Sequence, residues 1–365
     1  MAGNSLGQEF VVTVFGESHG KCVGVIVDGC PAGLELNEAD VQRDLDRRIP
    51  RGAAIVSGRI EKDEVEILSG VFQGHTTGAP IAMVAWNRDV DSGPYELLKD
   101  IPRPGHGDYP ARIRYRGFND YRGGGLISGR TTVAFVMAGA VAKRLLGQAR
   151  IEVLAHSQSI GNVFARTDLS LDEIRRNVYS NPVRCGDLRA ASSMEQEILS
   201  AAKEGDSVGG TVKLIVAGVP PGLGDPVFGS LDSELSRALF SIPAVKGVEF
   251  GSGFQASRLK GSQNNDPLEI KNGRVTYLTN MAGGILGGLS SGAEIVAHVA
   301  FKPTPSIQKT QRSVNLRTME QTELKITGRH DPCVVPKAVP VVEAIVATVL
   351  ADFVLRSNMI SDTCE

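Results

Sequence analysis

Two helical segments of this sequence are apolar enough to belong in the interior of a folded molecule. The first is "VAFVMAGAVAKRLL" (133–146), whose small residues permit close packing. In the second, the apolar residues form one stripe at helical spacing: Val341, Val342, Ile345, Val346, Val349, Leu350, Phe353 and Val354. Pro340 suits the first turn of this last helix. Both helices are therefore expected in the core.

Five other segments have the composition of β-strands, and several alternate with a period of two. They are "FVVTVF" (10–15), "CVGVIV" (22–27), "VEIL" (65–68), "TVKLIVA" (211–217) and "EIVAHVAF" (294–301). Hairpin-like strand pairs are followed by helices, so the order of elements is mixed. This order favours an α+β layered domain over a doubly wound parallel sheet.

Three more helices are predicted from their N-terminal capping residues. Asn37 precedes "EADVQRDLDRR", and Ser170 with Glu173 has the spacing of a capping box. Ser192 with Glu195 has the same spacing and predicts a third start, at "MEQEILSAAKEG".

The length and charge of the chain narrow the classes of function. With 365 residues, 42% of them hydrophobic, it has room for one large or two ordinary domains. A net charge of -2 gives no overall field for nucleic acid or an anionic membrane. No apolar run reaches the roughly 18 residues that span a bilayer, and "MAGNSLGQEF" lacks signal-peptide features. We expect a cytoplasmic protein that binds neither nucleic acid nor membrane.

The cysteines and histidines do not predict a metal site. The five cysteines are odd in number, scattered and without a C-x-x-C pair, which argues against a disulfide framework or a zinc site. The histidines lack the i, i+4 spacing of zinc-binding helices. His75, His156 and His298 are interpreted as structural residues.

Residues 103–130 concentrate positive charge in an otherwise mildly acidic chain. The segment holds six arginines, no lysine, and only Asp108 and Asp120 as acidic residues. Arginine binds carboxylate and phosphate through two parallel hydrogen bonds, whereas lysine acts as a point charge. A solvated surface is the alternative for any run of charge, but the glycines, prolines and aromatic residues of this segment favour an anion site.

Four glycine-containing segments carry the residues suited to chemistry. They are "GESHG" (16–20), "RPGHGDY" (103–109), "YRGGGLISGR" (121–130) and "GRHDP" (328–332). Loops on a rigid scaffold are where sites are built, and glycine allows close approach to a ligand. If these loops meet, they would bind a small polyanion through arginines and move a proton through histidine.

Two segments are similar to nucleotide-binding motifs, but neither predicts a nucleotide site. In "FGESHGKC" (15–22), three residues separate the glycines and cysteine follows the lysine, so the phosphate loop of NTPases is not reproduced. "GSGFQA" (251–256) fits the dinucleotide fingerprint, but the following "SRLKGSQNND" has the composition of a loop rather than the required helix. A flavin oxidoreductase that uses this segment would oxidise NAD(P)H steadily.

The glycine-containing segments resemble the signature segments of the chorismate synthase family. The resemblance rests on "FGESHGKCVGVIVDGCPAG", "RPGHGDY", "SGRTT" and "GRHDPCVVPKAVPVVEA". It extends to 67–81, 240–254 and 279–292, so it spans nearly the whole chain in family order.

The resemblance implies a reaction, a cofactor and a fold. The reaction is conversion of 5-enolpyruvylshikimate 3-phosphate into chorismate by anti-1,4 elimination of phosphate, with reduced FMN required although no net redox change occurs. The implied fold is a β-α-β sandwich, with helices between two largely antiparallel sheets, built as one domain over residues 1–365. The implied assembly is a homotetramer. No reductase domain is evident, so we expect an external flavin reductant.

The resemblance also implies roles for individual residues. His19 would protonate the departing phosphate, His106 would favour the anionic reduced flavin, and Asp331 would help to remove the substrate proton. The substrate-binding residues implied are Ser18, Arg48, Arg103 and Arg130. The flavin-binding residues implied are Ser128, Ala244, Gly287, Lys302, Pro303, Thr304, Pro305, Ser306 and Arg329. No metal is implied.

Four departures from the family pattern lie near the cofactor and phosphate loops. The arginine usual near Ala54 is absent, with Arg51 as a possible replacement, and Leu126 with Ile127 takes the place of an Arg-Ser pair. Pro243 replaces a common Asn, and Thr131 replaces a common Glu. Two hypotheses follow: a working synthase with altered flavin affinity, and an impaired paralogue that binds an anion or flavin without turnover.

Overall fold

The computed structural model describes residues 3–49, 55, 63–88, 91–327 and 330–357, and it has helices enclosed by two antiparallel sheets. The strands are β1 (Ser5–Leu6), β2 (Val11–Gly16), β3 (Cys22–Asp28), β4 (Val65–Ser69), β5 (Val71–Phe72), β6 (His75–Thr76), β7 (Ile81–Trp86), β8 (Glu152–Ile160), β9 (Val163–Phe164), β10 (Gly210–Ala217), β11 (Val245–Phe250), β12 (Leu268–Lys271), β13 (Arg274–Tyr277), β14 (Ile285–Leu286), β15 (Leu289–Ser290), β16 (Ile295–Phe301), β17 (Gln311–Asn315) and β18 (Glu320–Leu324). The helices are α1 (Glu38–Arg48), α2 (Asp108–Arg114), α3 (Thr132–Gln148), α4 (Leu171–Asn177), α5 (Leu188–Lys203), α6 (Leu231–Leu239), α7 (Gly261–Asn264) and α8 (Val335–Arg356).

The two large sheets have five strands each. The first has the order β1-β2-β3-β7-β4 and the second β11-β16-β10-β8-β9, and every neighbouring pair in both is antiparallel. Helix α3 contacts β2, β3 and β7 of the first sheet, whereas α8 contacts β8 and β10 of the second. Because α3 and α8 also pack on each other, the layers form the β-α-β sandwich, and the α+β fold class is confirmed.

Alternation along the strands explains which sheet face meets the helices. In β16, Ile295, Ala297, Val299 and Phe301 are buried while the residues between them are partly exposed. Successive side chains of a strand point to opposite faces, so this pattern turns one face toward the helical layer. The five strands predicted from the sequence are confirmed to within one residue at most ends.

Helix α8 is buried at every position from Val335 to Val354 except Lys337, so its predicted single apolar stripe understates its burial. It packs closely on α3, where a Cβ on Gly139 would lie only 2.3 Å from the Cβ of Ala344. The helix has the length and mean hydropathy, 2.1, of a membrane span, but 94% of that stretch is buried inside the molecule. Its apolar character is therefore explained by its place in the core.

The capping predictions are confirmed for two helices and wrong for a third. Asn37 and Ser170 each form a capping box at the start of α1 and α4. Helix α5 begins at Leu188 rather than near Ser192, because Asp187 accepts hydrogen bonds from the backbone N–H groups of Arg189 and Ala190. An aspartate is as good a cap as a serine.

The position of Pro340 is also corrected. Pro336 occupies the first turn of α8, and Pro340 lies in the second turn. A proline there has no N–H to donate to the carbonyl four residues earlier. Burial of the whole helix between the sheets compensates for this missing bond.

Candidate active site

A cavity of about 510 Å³ lies where the loops at one end of the sandwich meet. Its lining includes five cationic side chains and two carboxylates: Arg48, Arg103, Arg130, Lys302, Lys337, Asp63 and Asp331. A second, apolar part of the wall is formed by Ile242, Pro243, Ala244, Phe301, Val334, Ala338 and Val341. The cavity therefore suits a ligand with several negative charges and an apolar ring.

A run of glycines brings the loops of His19 and His106 together. Gly123, Gly124 and Gly125 all have positive φ, which favours glycine. A Cβ on Gly123 would lie 2.4 Å from His19 Cδ2, and one on Gly124 would lie 3.5 Å from His106 Nε2. The two imidazoles therefore pack against consecutive residues of one loop.

The turn between β2 and β3 holds His19. Its Nδ1 lies 3.0 Å from the hydroxyl of Ser92, and its ring packs edge-on against Tyr95 with 4.9 Å between centroids. Ser18 lines the cavity, and its backbone N–H donates to the carbonyl of Gly125. His19 is about nine-tenths buried, and it is not among the described residues that line the cavity, although the adjacent Ser18 and the contacting Gly123 are.

His106 belongs to a buried triad with Arg103 and Asp108. Arg103 donates from Nε to Asp108 Oδ2 and from Nη2 to Oδ1, both at 2.8 Å. His106 Nδ1 lies 2.7 Å from the same Oδ1. Burial alone would raise the pKa of Asp108, but hydrogen bonds from Arg103 and His106 outweigh it and hold that pKa well below its usual range.

Arg48 and Arg130 converge on Asp63, a buried carboxylate that the sequence did not single out. Arg48 Nη1 lies 3.0 Å from Asp63 Oδ2, and Arg130 Nη1 donates to Oδ1. Arg48 also donates to Thr132 Oγ1 and to the carbonyl of Gly129. The carboxylate holds both guanidiniums at the cavity wall.

Three of the implied flavin-binding segments line the cavity. Ser128, Ala244 and most of the 302–306 segment do so, although Pro303 is not among the lining residues. Lys302 Nζ donates to the carbonyl of Gly105, and Ser306 Oγ accepts from Arg103 Nη1 at 3.2 Å. Burial and the neighbouring Lys246 lower the pKa of Lys302. These contacts join the 302–306 segment to the His106 loop.

Asp331 faces the cavity in a tight pair with Lys337 on α8. Its two oxygens lie 2.8 and 2.7 Å from Lys337 Nζ. His330 also lines the cavity, and burial, reinforced by the charge of Arg103, lowers its pKa. Arg329 lies outside the described residues, and His330 is the first described residue after it.

Gly287 is not among the described residues that line this cavity. It lies in the turn that joins β14 to β15, and its neighbour Gly288 packs against Ser230 at the start of α6. Its place in the site stays a prediction.

The departures from the family pattern differ in their surroundings. Ile127 and Pro243 line the cavity, whereas Thr131 is buried and donates from Oγ1 to the carbonyl of Ser128. Leu126 lies in the short 3₁₀ segment Arg122–Ile127. Ala54 and Arg51 lie outside the described residues.

The structure adds residues that the sequence reasoning missed. Asp63, Asp108, His330, Lys337 and Tyr95 all line the cavity or bind a residue that does. Asp108 and His330 lay inside quoted segments, so their proximity to the histidine and aspartate was a usable signal. Asp63 sits in the charged run "EKDE", where nothing in the sequence distinguishes it.

The histidines interpreted as structural lie away from the cavity lining. Burial lowers the pKa of His156 to about 4, and His298 lies in the middle of β16. His75 is exposed on β6.

"GSGFQA" continues into a 3₁₀ segment, Gly253–Arg258, and then the single turn of α7, rather than the long helix of a dinucleotide site. The four described cysteines are free thiols, and Cys364 lies outside the described residues.

The comparisons with known proteins agree with one another. The family model described as chorismate synthase matches residues 10–355. A chorismate synthase of Methanosarcina barkeri is 53% identical over 361 residues, covering 99% of this chain and 98% of the relative. One of Methanothermobacter thermautotrophicus is 52% identical over 364 residues, covering 100% and 97%. A crystal structure of a chorismate synthase superposes with a TM-score of 0.76 at 30% identity, covering 96% of this chain and 93% of that one.

Proposed function

The chain belongs to the chorismate synthase family, and from that premise we propose how its residues carry out the family's reaction. The protein is a lyase that eliminates phosphate from 5-enolpyruvylshikimate 3-phosphate to give chorismate, a step of aromatic amino acid biosynthesis. The observation that carries the proposed mechanism is one cavity that joins guanidiniums, His106 and Asp331 to an apolar wall. Neither the comparisons nor the described residues favour an impaired paralogue.

We assign the binding of the substrate anions to Ser18, Arg48, Arg103 and Arg130. Arg103 and Arg130 are each more than nine-tenths buried, and a charge-assisted hydrogen bond is stronger away from water. Because Asp63 and Asp108 orient three of these guanidiniums, the clamp is formed before the substrate enters. Preorganised cations of this kind stabilise charge on a departing phosphate.

Reduced FMN is the cofactor that we propose for this chain, since the family uses reduced flavin. The fit rests on the donor set and on one orphaned group: Thr304 Oγ1 is buried beside the cavity without a hydrogen-bond partner among the described residues. Ser128, Lys302 to Ser306 and Ala244 would hold the flavin, with Arg329 and Gly287 completing the proposed set. When bound, reduced flavin supplies electron density as phosphate leaves.

The proton-handling roles go to His19, His106 and Asp331. We assign protonation of the departing phosphate to His19, because the adjacent Ser18 lines the cavity and a Cβ on the cavity-lining Gly123 would lie 2.4 Å from His19 Cδ2. His106 lines the cavity and offers a group that can carry positive charge near the flavin. We assign to Asp331, whose two oxygens accept from Lys337 Nζ, a part in removal of the substrate proton.

The remaining proposals concern organisation. We propose one domain over residues 1–365, a homotetramer, a cytoplasmic location and a separate protein that reduces the flavin. Supporting the single domain, α8 packs on α1, α3 and α6 and on strands of the second sheet, so one core includes both sheets.

The test of the proposed function is anaerobic turnover of 5-enolpyruvylshikimate 3-phosphate by the purified protein. With chemically reduced FMN, we expect chorismate and inorganic phosphate in equal amounts, and no product with oxidised FMN. Ligand-induced thermal stabilisation without product would instead identify a binding protein. Steady NAD(P)H oxidation without substrate would identify an oxidoreductase.

The contact between Gly107 and Ile127 gives a prediction for flavin affinity. A Cβ on Gly107 would lie 2.5 Å from Ile127 Cδ1, so Gly107→Ala must turn the isoleucine out of its position on the cavity wall. We expect flavin to bind about three- to tenfold more weakly, roughly 0.6–1.4 kcal/mol. The Gly107→Ala, Ile127→Ser double variant removes the clash and should recover affinity. Equal affinities in a fluorescence titration of all three proteins would exclude Ile127 from the flavin wall.

A further inference from the structure

Asp108 contacts His106 as well as the guanidinium of Arg103 that it orients. It is the first residue of α2, and its side chain is nine-tenths buried. Four donors point at its two oxygens. Oδ2 accepts from Arg103 N at 3.0 Å and Nε at 2.8 Å, while Oδ1 faces Arg103 Nη2 at 2.8 Å and His106 Nδ1 at 2.7 Å.

The distances decide which nitrogen of His106 carries the proton. Arg103 Nη2 lies 3.1 Å from His106 Nδ1, so a lone pair on Nδ1 would have one donor in reach. That lone pair would also face Asp108 Oδ1 at 2.7 Å, where two electron-rich atoms repel. With a proton on Nδ1, the ring and the guanidinium instead donate to the same oxygen. A guanidinium has no acceptor, so this is the arrangement that satisfies all three residues.

The other ring nitrogen is left for the cavity. His106 lines the cavity, and its Nε2 faces Gly124, which has no side chain to occupy the space. A Cβ there would come to 3.5 Å from Nε2. The hydrogen bond at Nδ1 therefore fixes what Nε2 presents: a lone pair when the ring is neutral, and a donor when it is protonated.

We infer that Asp108 is a positioning residue for His106: it fixes the Nδ1–H tautomer and orients the ring. The importance of this arrangement for turnover rests on the proposed role of His106. Arg103 has a second function in the same arrangement, because it anchors the carboxylate while its Nη1 reaches Ser306. The loop from Arg103 to Asp108 thereby couples the anion clamp to the histidine.

Asp108→Asn gives an atomic prediction. An amide has one acceptor oxygen, and the Oδ2 position must satisfy two donors from Arg103, so the oxygen should take that side. The NH₂ group then faces Arg103 Nη2 and His106 Nδ1, and of these two only the imidazole nitrogen can become an acceptor. We expect the proton to move to Nε2, which reverses the roles of the two ring nitrogens.

The test is the ¹⁵N spectrum of the histidine rings in the ligand-free protein, which distinguishes the two neutral tautomers. The chain has six histidines, and a His106→Gln variant identifies the signals of interest. We expect the Nδ1–H form in the unaltered protein, the Nε2–H form in Asp108→Asn, and the Nδ1–H form again in Asp108→Glu. An unchanged tautomer in folded Asp108→Asn would overturn the inference, as would the Nε2–H form in the unaltered protein.

Asp120 supplies a matched control. It accepts from Arg122 N, Nε and Nη2 in the same way, at 3.0, 2.8 and 2.8 Å, but its hydrogen bonds do not include a histidine. Asp120→Asn should leave the His106 signals unchanged, and a shift equal to that of Asp108→Asn would mean a general loosening of the loops.

Turnover measurements separate this inference from the proposed function. Asp108→Asn should lower kcat by about 10²-fold or more with a smaller change in KM, as expected for a wrong tautomer. A rise in KM alone would mean that Asp108 acts through Arg103 and the substrate, and would contradict a role through His106. If His106→Ala turned over normally, the proposed role of His106 would fail while the tautomer result stood.

Discussion

His106→Ala and His19→Ala should each lower kcat by about 10²- to 10⁴-fold, the range for loss of a proton-handling group. His106 lies in the cavity wall and His19 packs against Tyr95 and the glycine run, so neither substitution removes a part of the core. Losing the aromatic contact of His19 should cost about 1 kcal/mol of stability. Single-turnover rates with saturating substrate and reduced FMN measure the effect.

His75→Ala is the control for these variants. His75 is exposed on β6, where its Nδ1 lies 3.1 Å from the carbonyl of Gln73. Its replacement should leave both turnover and melting temperature unchanged. Rates within twofold of the unaltered protein in either His19→Ala or His106→Ala would remove that residue from the mechanism.

Glu343→Ala should destabilise the fold by about 3–5 kcal/mol, because it breaks a buried ion pair from one side. Glu343 on α8 accepts from Lys143 Nζ at 3.0 Å, from the Tyr179 hydroxyl at 2.9 Å and from the Ala155 N–H at 3.1 Å. Asp44 of α1 binds the same lysine at 3.0 Å. Burial, followed by the charge of Glu343, raises the pKa of Tyr179 well above its usual value. The cluster connects α1, α3 and α8 to the second sheet.

Urea unfolding of a short series measures this effect. Glu343→Gln keeps the shape and some hydrogen bonds, so it should lose less than Glu343→Ala. In the Lys143→Met, Glu343→Met double variant both members of this pair are removed and Asp44 keeps its ion pair with Arg47 at 3.0 Å, so the double variant should be more stable than either single methionine variant. A loss below about 1 kcal/mol in Glu343→Ala would mean that the cluster contributes no more than an exposed pair.

The sequence was sufficient for those parts of the fold that local patterns determine. Period-two alternation located β3 and β16, and capping boxes located α1 and α4. The predicted start of α5 at Ser192 was wrong because aspartate and serine both cap helices. The cap is the residue whose side chain reaches the free N–H groups at the helix start. Tertiary packing made that choice at Asp187.

The candidate site shows a similar division. The glycine-containing segments located His106, Arg103 and Asp331, because each carries its own local signal. Asp63 reaches Arg48 and Arg130 from a distant part of the chain, and its neighbours in sequence are equally charged. A carboxylate that works by neutralising cations has no pattern of its own, so only the folded arrangement identifies it.

The burial of α8 has a consequence for synthesis. Every described strand of the second sheet precedes this helix in chain order, so the ribosome delivers the apolar face of that sheet before the helix that covers it. At translation rates of about 5–20 residues per second, that face stays uncovered for seconds. The nascent chain is then most exposed to aggregation, and chaperone capture is expected to matter most before residues 335–356 emerge.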